Sequence, residues 1–226
     1  MKANIGIMTR MVILSFGNNK NCKIYYKIHK RSKKMTAEEF WKGFTEIFKD
    51  GTNTKNKAIR NWSSPKDYTE TIVNAVSELL STKYQVSKEY YRIDLTAWKQ
   101  LRKSEKDKIL YNGFEKHLWD LEVAVEHENS SVSWMDEVVK LLHINCPLRV
   151  VIGYLPIGQR DNHKAYLDKI TEQIKETKAV KEYESLKKGE FMIIIGNSNC
   201  HGNEKEFCRY KAYVFDKDKF VLSGEI

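Results

Sequence analysis

Glutamates at positions 122, 126 and 128 punctuate the segment "WDLEVAVEHEN", residues 119–129. Leu121, Val123 and Val125 alternate there against Glu122, Ala124, Glu126 and Glu128, which predicts a β-strand with carboxylates on one face and no cation among them. Glu126 and Glu128 are neighbours on that face. Two carboxylates so close repel, and each resists leaving water unless a cation compensates. A divalent metal meets both demands. Magnesium is the natural choice, a hard ion held by one or two carboxylates while water and phosphate oxygens complete its shell. A third carboxylate must come from another element, because Glu122 is about 13 Å and Asp120 about 20 Å from Glu126 along an extended strand. Asp94, in "RIDLT", lies on a preceding strand that can pair alongside and is the geometric choice. The bland alternative is a solvent-exposed edge strand, which leaves the apolar opposite face and the apolar strands that follow unexplained.

These residues need elements to hold them. "TAEEF" is a capping box that starts a helix at Thr36, running to about Asp50. Ser64 and Pro65 open a second helix, with Ile72, Val73, Val76, Leu79 and Leu80 at helical spacing. "YYRIDLTAW" reads as a strand around Asp94, and residues 99–118 as polar and partly helical. After the glutamate strand, Ser133 and Asp136 announce a helix from Trp134 to about Ile144. "LRVVIGYL" and "EFMIIIGN" are apolar throughout, as strands covered on both faces are, with a long charged helix over roughly 162–186 between them. Strand, helix, strand of that length predicts a parallel pair. "YKAYVF" and "KFVL", joined by "DKD", predict a closing hairpin. The fold class is α/β, a mixed central sheet flanked by helices. Residues 1–35 are read as an N-terminal extension carrying a small hairpin, and residues 36–226 as one domain.

This order of elements, with Asp94 on one strand and Glu126-His127-Glu128 on the next, resembles the PD-(D/E)xK nucleases, the superfamily of many restriction and repair endonucleases. The likeness spans roughly residues 65–200. It implies a restriction-endonuclease-like core, metal-dependent hydrolysis of DNA phosphodiester bonds, and Asp94 and Glu126 as ligands of magnesium, with manganese able to substitute. Two positions depart from the pattern. Ile93 stands where proline often precedes the aspartate, and Glu128 stands where lysine is usual. Glu128 would then hold a second metal or take the proton of the attacking water. Lys140, on the following helix, would restore the missing cation. The resemblance also offers Glu78, on the helix before the aspartate strand, as a fourth carboxylate. Double-stranded DNA is the expected partner, with a homodimer left open. The missing motif lysine supports a second reading, a catalytically silent relative that binds nucleic acid, and a small phosphorylated substrate makes a third.

Bulk properties agree with an anionic partner without demanding one. The 226 residues carry a formal net charge of +9, a thin surplus against 31% charged residues. With 41% hydrophobic residues a core can be buried and wholesale disorder is excluded. No apolar run reaches the ~18 residues of a membrane span. Cys22, Cys146, Cys200 and Cys208 form no disulfide framework or paired knuckle, which fits free thiols in a reducing cytoplasm. His127 alternates to the face opposite the glutamates and is expected to pack beneath a helix. The tryptophans are read as core, and the basic "HKRSKK" as either a phosphate grip or a frayed segment.

Overall fold

The structure is a computed structural model that describes residues 34–49, 65–100, 119–129, 134–155, 162–180, 189–197 and 210–226. The expected N-terminal hairpin, most of the basic "HKRSKK", the polar stretch before Trp119 and the three cysteines other than Cys146 lie outside the described residues.

Helix α1 (Ala37–Lys49) begins where the capping box predicts. The Glu39 amide donates to Thr36 Oγ1 at 3.1 Å, and the Thr36 amide reaches back to Glu39 Oε2 at 3.4 Å. Helix α2 (Pro65–Ser81) follows, with proline at its first position where the missing N–H costs nothing. Strands β1 (Gln85–Tyr90), β2 (Ile93–Gln100) and β3 (Trp119–His127) then form an antiparallel meander. Helix α3 (Trp134–Leu142) crosses to β4 (Leu148–Leu155), which runs parallel to β3. Helix α4 (His163–Val180) crosses to β5 (Glu190–Asn197), parallel to β4 as the sequence predicts. Strands β6 (Tyr210–Asp216) and β7 (Lys219–Glu225) close the sheet as the expected hairpin.

The seven strands lie side by side in chain order. One face packs under α1 and α2 through Phe40, Phe44, Ile72, Val76 and Leu80 against Val123, Val125, Val150 and Ile152. The other packs under α3 and α4 through Trp134, Val138, Leu141 and Ile170 against Ala124, Val151 and Ile193. Strand β4 is buried along its whole length because it is covered on both sides. Gly153 is required there: a Cβ would stand 2.6 Å from the Trp134 ring, so glycine lets the tryptophan lie on the sheet and seat α3. Strand β3 is interior, third of seven, and the edge-strand alternative is therefore excluded.

One reading needs correction. "YYRIDLTAW" is not a single strand. The chain turns at Tyr91–Arg92, and β1 before the turn pairs with β2 after it. Strand β1 mixes exposed and half-buried residues with none fully buried, so it lacks the alternation that marks a half-buried strand. No helix among the described residues is long and apolar enough to cross a membrane.

Candidate functional site

Strand pairing brings the two main candidates together. Leu95 lies opposite Val125 and Thr96 opposite Ala124, and continuing that register sets Asp94 across from Glu126. The His127 amide donates to Asp94 Oδ2 at 2.7 Å, and the Asp94 amide approaches Glu126 Oε2 at 3.4 Å. Each carboxylate is thus fixed by the backbone of the neighbouring strand.

Helix α3 contributes the third group. Its buried stripe of Trp134, Val138, Leu141 and Leu142 holds it on the sheet, and Lys140, beside that stripe, reaches the acids. Lys140 Nζ lies 3.0 Å from Glu126 Oε1, donates to the Arg92 carbonyl at 3.1 Å, and pairs with Glu137 one turn earlier on the same helix. Those three contacts match the three hydrogens of an ammonium. The lysine proposed from the resemblance to stand in for the motif cation therefore sits on the Glu126 carboxylate.

Burial dominates the electrostatics. Desolvation raises the pKa of Asp94, against the opposing pull of the His127 amide and the Lys140 charge. It pushes Glu126, only 2% exposed, up to about 8, because burial and the neighbouring Asp94 and Glu137 outweigh Lys140. Glu126 thus holds a proton far more readily than an ordinary carboxyl, and its side chain hydrogen-bonds that of Asp94. Burial alone would lower the pKa of Lys140, but its bonds to Glu137 and Glu126 prevail and raise it.

The remaining candidates fall elsewhere. Glu128, half-buried just past the end of β3, donates its amide to the Ile152 carbonyl and extends the parallel pairing by one residue. Glu78 is exposed on α2, off the stripe formed by Ile72, Ala75, Val76 and Leu80. Glu122 is buried at the far end of β3, where it lines a separate cavity of about 220 Å³ with Lys34, Asp120, Asn145 and Cys146. Cys146 is a free, buried thiol whose pKa burial pushes up to about 12, so it is unreactive at neutral pH.

Two residues joined the site unannounced. Glu137 was legible in principle, since it shares the face of α3 with Lys140 at i,i+3. The carbonyl of Arg92 had no sequence signal, because the turn that presents it uses neither Gly nor Asn.

Among the described residues no three His, Cys, Asp or Glu side chains converge as a metal-binding group. The donor set nevertheless suits magnesium, which needs only one or two carboxylates from a protein. Asp94 and Glu126 offer hard oxygens from adjacent strands, and Glu126 Oε1 is buried with no donor besides its ion pair with Lys140. A cation arriving there would replace the proton that desolvation forces on the pair.

His127 faces the other way, as expected. Its ring is buried beneath α2 between Tyr68 and Tyr154, with Nε2 3.0 Å from the Tyr154 hydroxyl. Tyr154 hydrogen-bonds Tyr68 at 3.1 Å, and Tyr68 meets Tyr210 at 2.6 Å. Burial lowers the His127 pKa to about 3. A depressed histidine contributes stability that is complete above its unfolded value near 6.5 and lost as pH falls towards 3. Wild type should therefore lose about 3 kcal/mol between pH 6.5 and pH 4 from this group. Denaturant titrations of wild type and His127→Gln across that range check this; an identical pH slope in the two proteins would contradict it.

No protein-family model matches the sequence, and no curated protein matches it.

Proposed function

We propose that this chain is a metal-dependent endonuclease that hydrolyses phosphodiester bonds in double-stranded DNA. The observation that carries the reading is the meeting of Asp94, Glu126 and Lys140 at the β2–β3–α3 junction. Two carboxylates and an ammonium are the set that a PD-(D/E)xK site uses; here they are drawn from two paired strands and, for the ammonium, the helix after them. A helix, three antiparallel strands, a helix and a parallel strand, α2 to β4, support the same reading.

Magnesium, when bound, supplies a Lewis acid and lowers the pKa of a coordinated water. Asp94 and Glu126 would hold it, and the chain's other groups prepare them. The His127 amide fixes Asp94 Oδ2, so that carboxylate cannot swing away when charge arrives. Lys140 keeps a positive charge on the Glu126 oxygen and next to where a phosphate would lie. Hydrolysis requires a proton to leave the attacking water and another to reach the departing sugar oxygen. Glu128, two residues beyond Glu126, is the candidate from the sequence to accept the first, and Glu137, paired with Lys140 beside Glu126, is the carboxylate the fold adds.

The test uses the full-length protein and supercoiled plasmid, with magnesium added and then chelated. Nicking that needs magnesium, is sustained by manganese and stops with chelation supports the proposal. Salt-sensitive DNA binding with no nicking in either metal would instead mark a silent relative, the reading that Glu128 in place of lysine favours.

A further inference from the structure

The turn between β1 and β2 is an unusual one. Tyr91 and Arg92 both have positive φ, 53° and 60°. A two-residue turn with this backbone ordinarily uses Asn-Gly or Gly-Gly, because other residues adopt it only at a cost. Here it carries an aromatic ring and a guanidinium. Tyr91 is 82% exposed, more than any other large hydrophobic side chain among the described residues. Arg92 is exposed beside it.

The tip is braced from below. Tyr90 packs edge-on against both Tyr91, at 4.6 Å between centroids, and Trp98, at 5.3 Å. Trp98 Nε1 donates to Thr96 Oγ1 at 2.8 Å, and the Thr96 hydroxyl donates across to the Ser87 carbonyl at 3.3 Å. The tip is also tied to the acidic site, since the Lys140 nitrogen on the Arg92 carbonyl is the one on Glu126. An aromatic ring held in water, next to a cation and within one ammonium of two carboxylates, is arranged for a flat face and a phosphate. DNA presents both. Aromatic side chains stack on bases whatever the sequence, and apolar wedges open base steps in duplexes.

We infer that the Tyr91–Arg92 turn grips duplex DNA beside the phosphate to be cut, Tyr91 stacking on a base at an opened step and Arg92 meeting the adjoining phosphate. This rests on the endonuclease reading and names the element that would hold its substrate.

The experiment compares the full-length wild type with Tyr91→Ala, Tyr91→Trp and Arg92→Ala. Affinity for a fluorescent 20-base-pair duplex is measured in chelator, so that nothing is cut, with 2-aminopurine at successive positions to report unstacking. Hydrolysis of bis(p-nitrophenyl) phosphate with magnesium is measured separately, because that small diester has no base step to open. Tyr91→Ala should bind duplex about tenfold more weakly and lose the 2-aminopurine signal, while Tyr91→Trp keeps both. Arg92→Ala should lower the salt dependence of binding by about one phosphate contact. Tyr91→Ala should leave hydrolysis of the small diester unchanged. Duplex affinity unchanged in Tyr91→Ala, or no duplex binding by wild type, overturns the inference. Duplex binding that depends on Tyr91 in a protein inert towards every diester keeps the grip and sinks the endonuclease reading; cleavage indifferent to Tyr91 does the reverse.

Discussion

Glu126→Ala is expected to abolish magnesium uptake and to reduce plasmid nicking by about a thousandfold or more, the scale on which losing a charge-stabilising group in a closed site is felt. The substitution removes a carboxylate that faces Asp94 and pairs with Lys140. The fold should survive it. Burial holds a proton on Glu126 up to about pH 8, so the side chain is an electrostatic burden to the metal-free protein. Lys140 keeps its bonds to Glu137 and to the Arg92 carbonyl when Glu126 is gone. Calorimetric titration of magnesium and a circular dichroism melt separate the two effects. Lost uptake with a cooperative melt no lower than that of wild type assigns the chemistry to this strand. Wild-type nicking by the variant would move the active site elsewhere.

The second large effect is on stability. The folded pKa of Glu126, about 8, lies above its ordinary value of 4.5. A raised group contributes stability that is complete below its unfolded pKa and lost as pH rises through the folded one. Wild type in chelator should therefore be destabilised between pH 4.5 and pH 8 by an amount on the order of 4 kcal/mol from this group. Asp94, also raised by burial, pulls in the same direction. Glu126→Gln keeps the shape without the titration, so it should match wild type at pH 4.5 and exceed it by a few kcal/mol at pH 8.5. Because His127 titrates in both proteins, the difference between their denaturation curves isolates Glu126. Magnesium should restore the wild type at high pH and leave the variant unmoved. Equal stability of the two proteins at pH 8.5 in chelator would show that Glu126 ionises freely.

Much of this arrangement was legible because strands make simple promises. Alternation in "LEVAVE" sets the face of every residue, so the pairing of Asp94 with Glu126 and the burial of His127 on the other side follow from parity once the strands are neighbours. The unbroken apolar runs of β4 and β5 announce a covered parallel pair. Strand β1 was missed because none of its side chains is fully buried and its turn lacks glycine, so neither periodicity nor turn chemistry marks it. Parity also has a limit. It groups Glu122 with Glu126, yet only tertiary packing reveals that Glu122 lines a cavity with Lys34 and Cys146 while Glu126 meets α3. The place of Lys140 likewise depends on how α3 is rotated against the sheet, which Trp134 fixes by resting on Gly153.

The strictly sequential order of the sheet bears on how the site is assembled in time. Among the described residues each strand after the first pairs with the one made just before it, so none of them must wait for a distant partner. Contacts close in sequence form fastest, because little chain entropy is lost in making them. Asp94 and Glu126 sit on two strands of one meander and can meet as soon as β2 and β3 zip together. Lys140, nearer to Glu126 in sequence than Asp94 is, is seated when α3 is carried over the sheet and β4 docks parallel to β3. The acids are therefore joined by strand pairing, and the cation that tempers them is delivered by the crossover helix that follows.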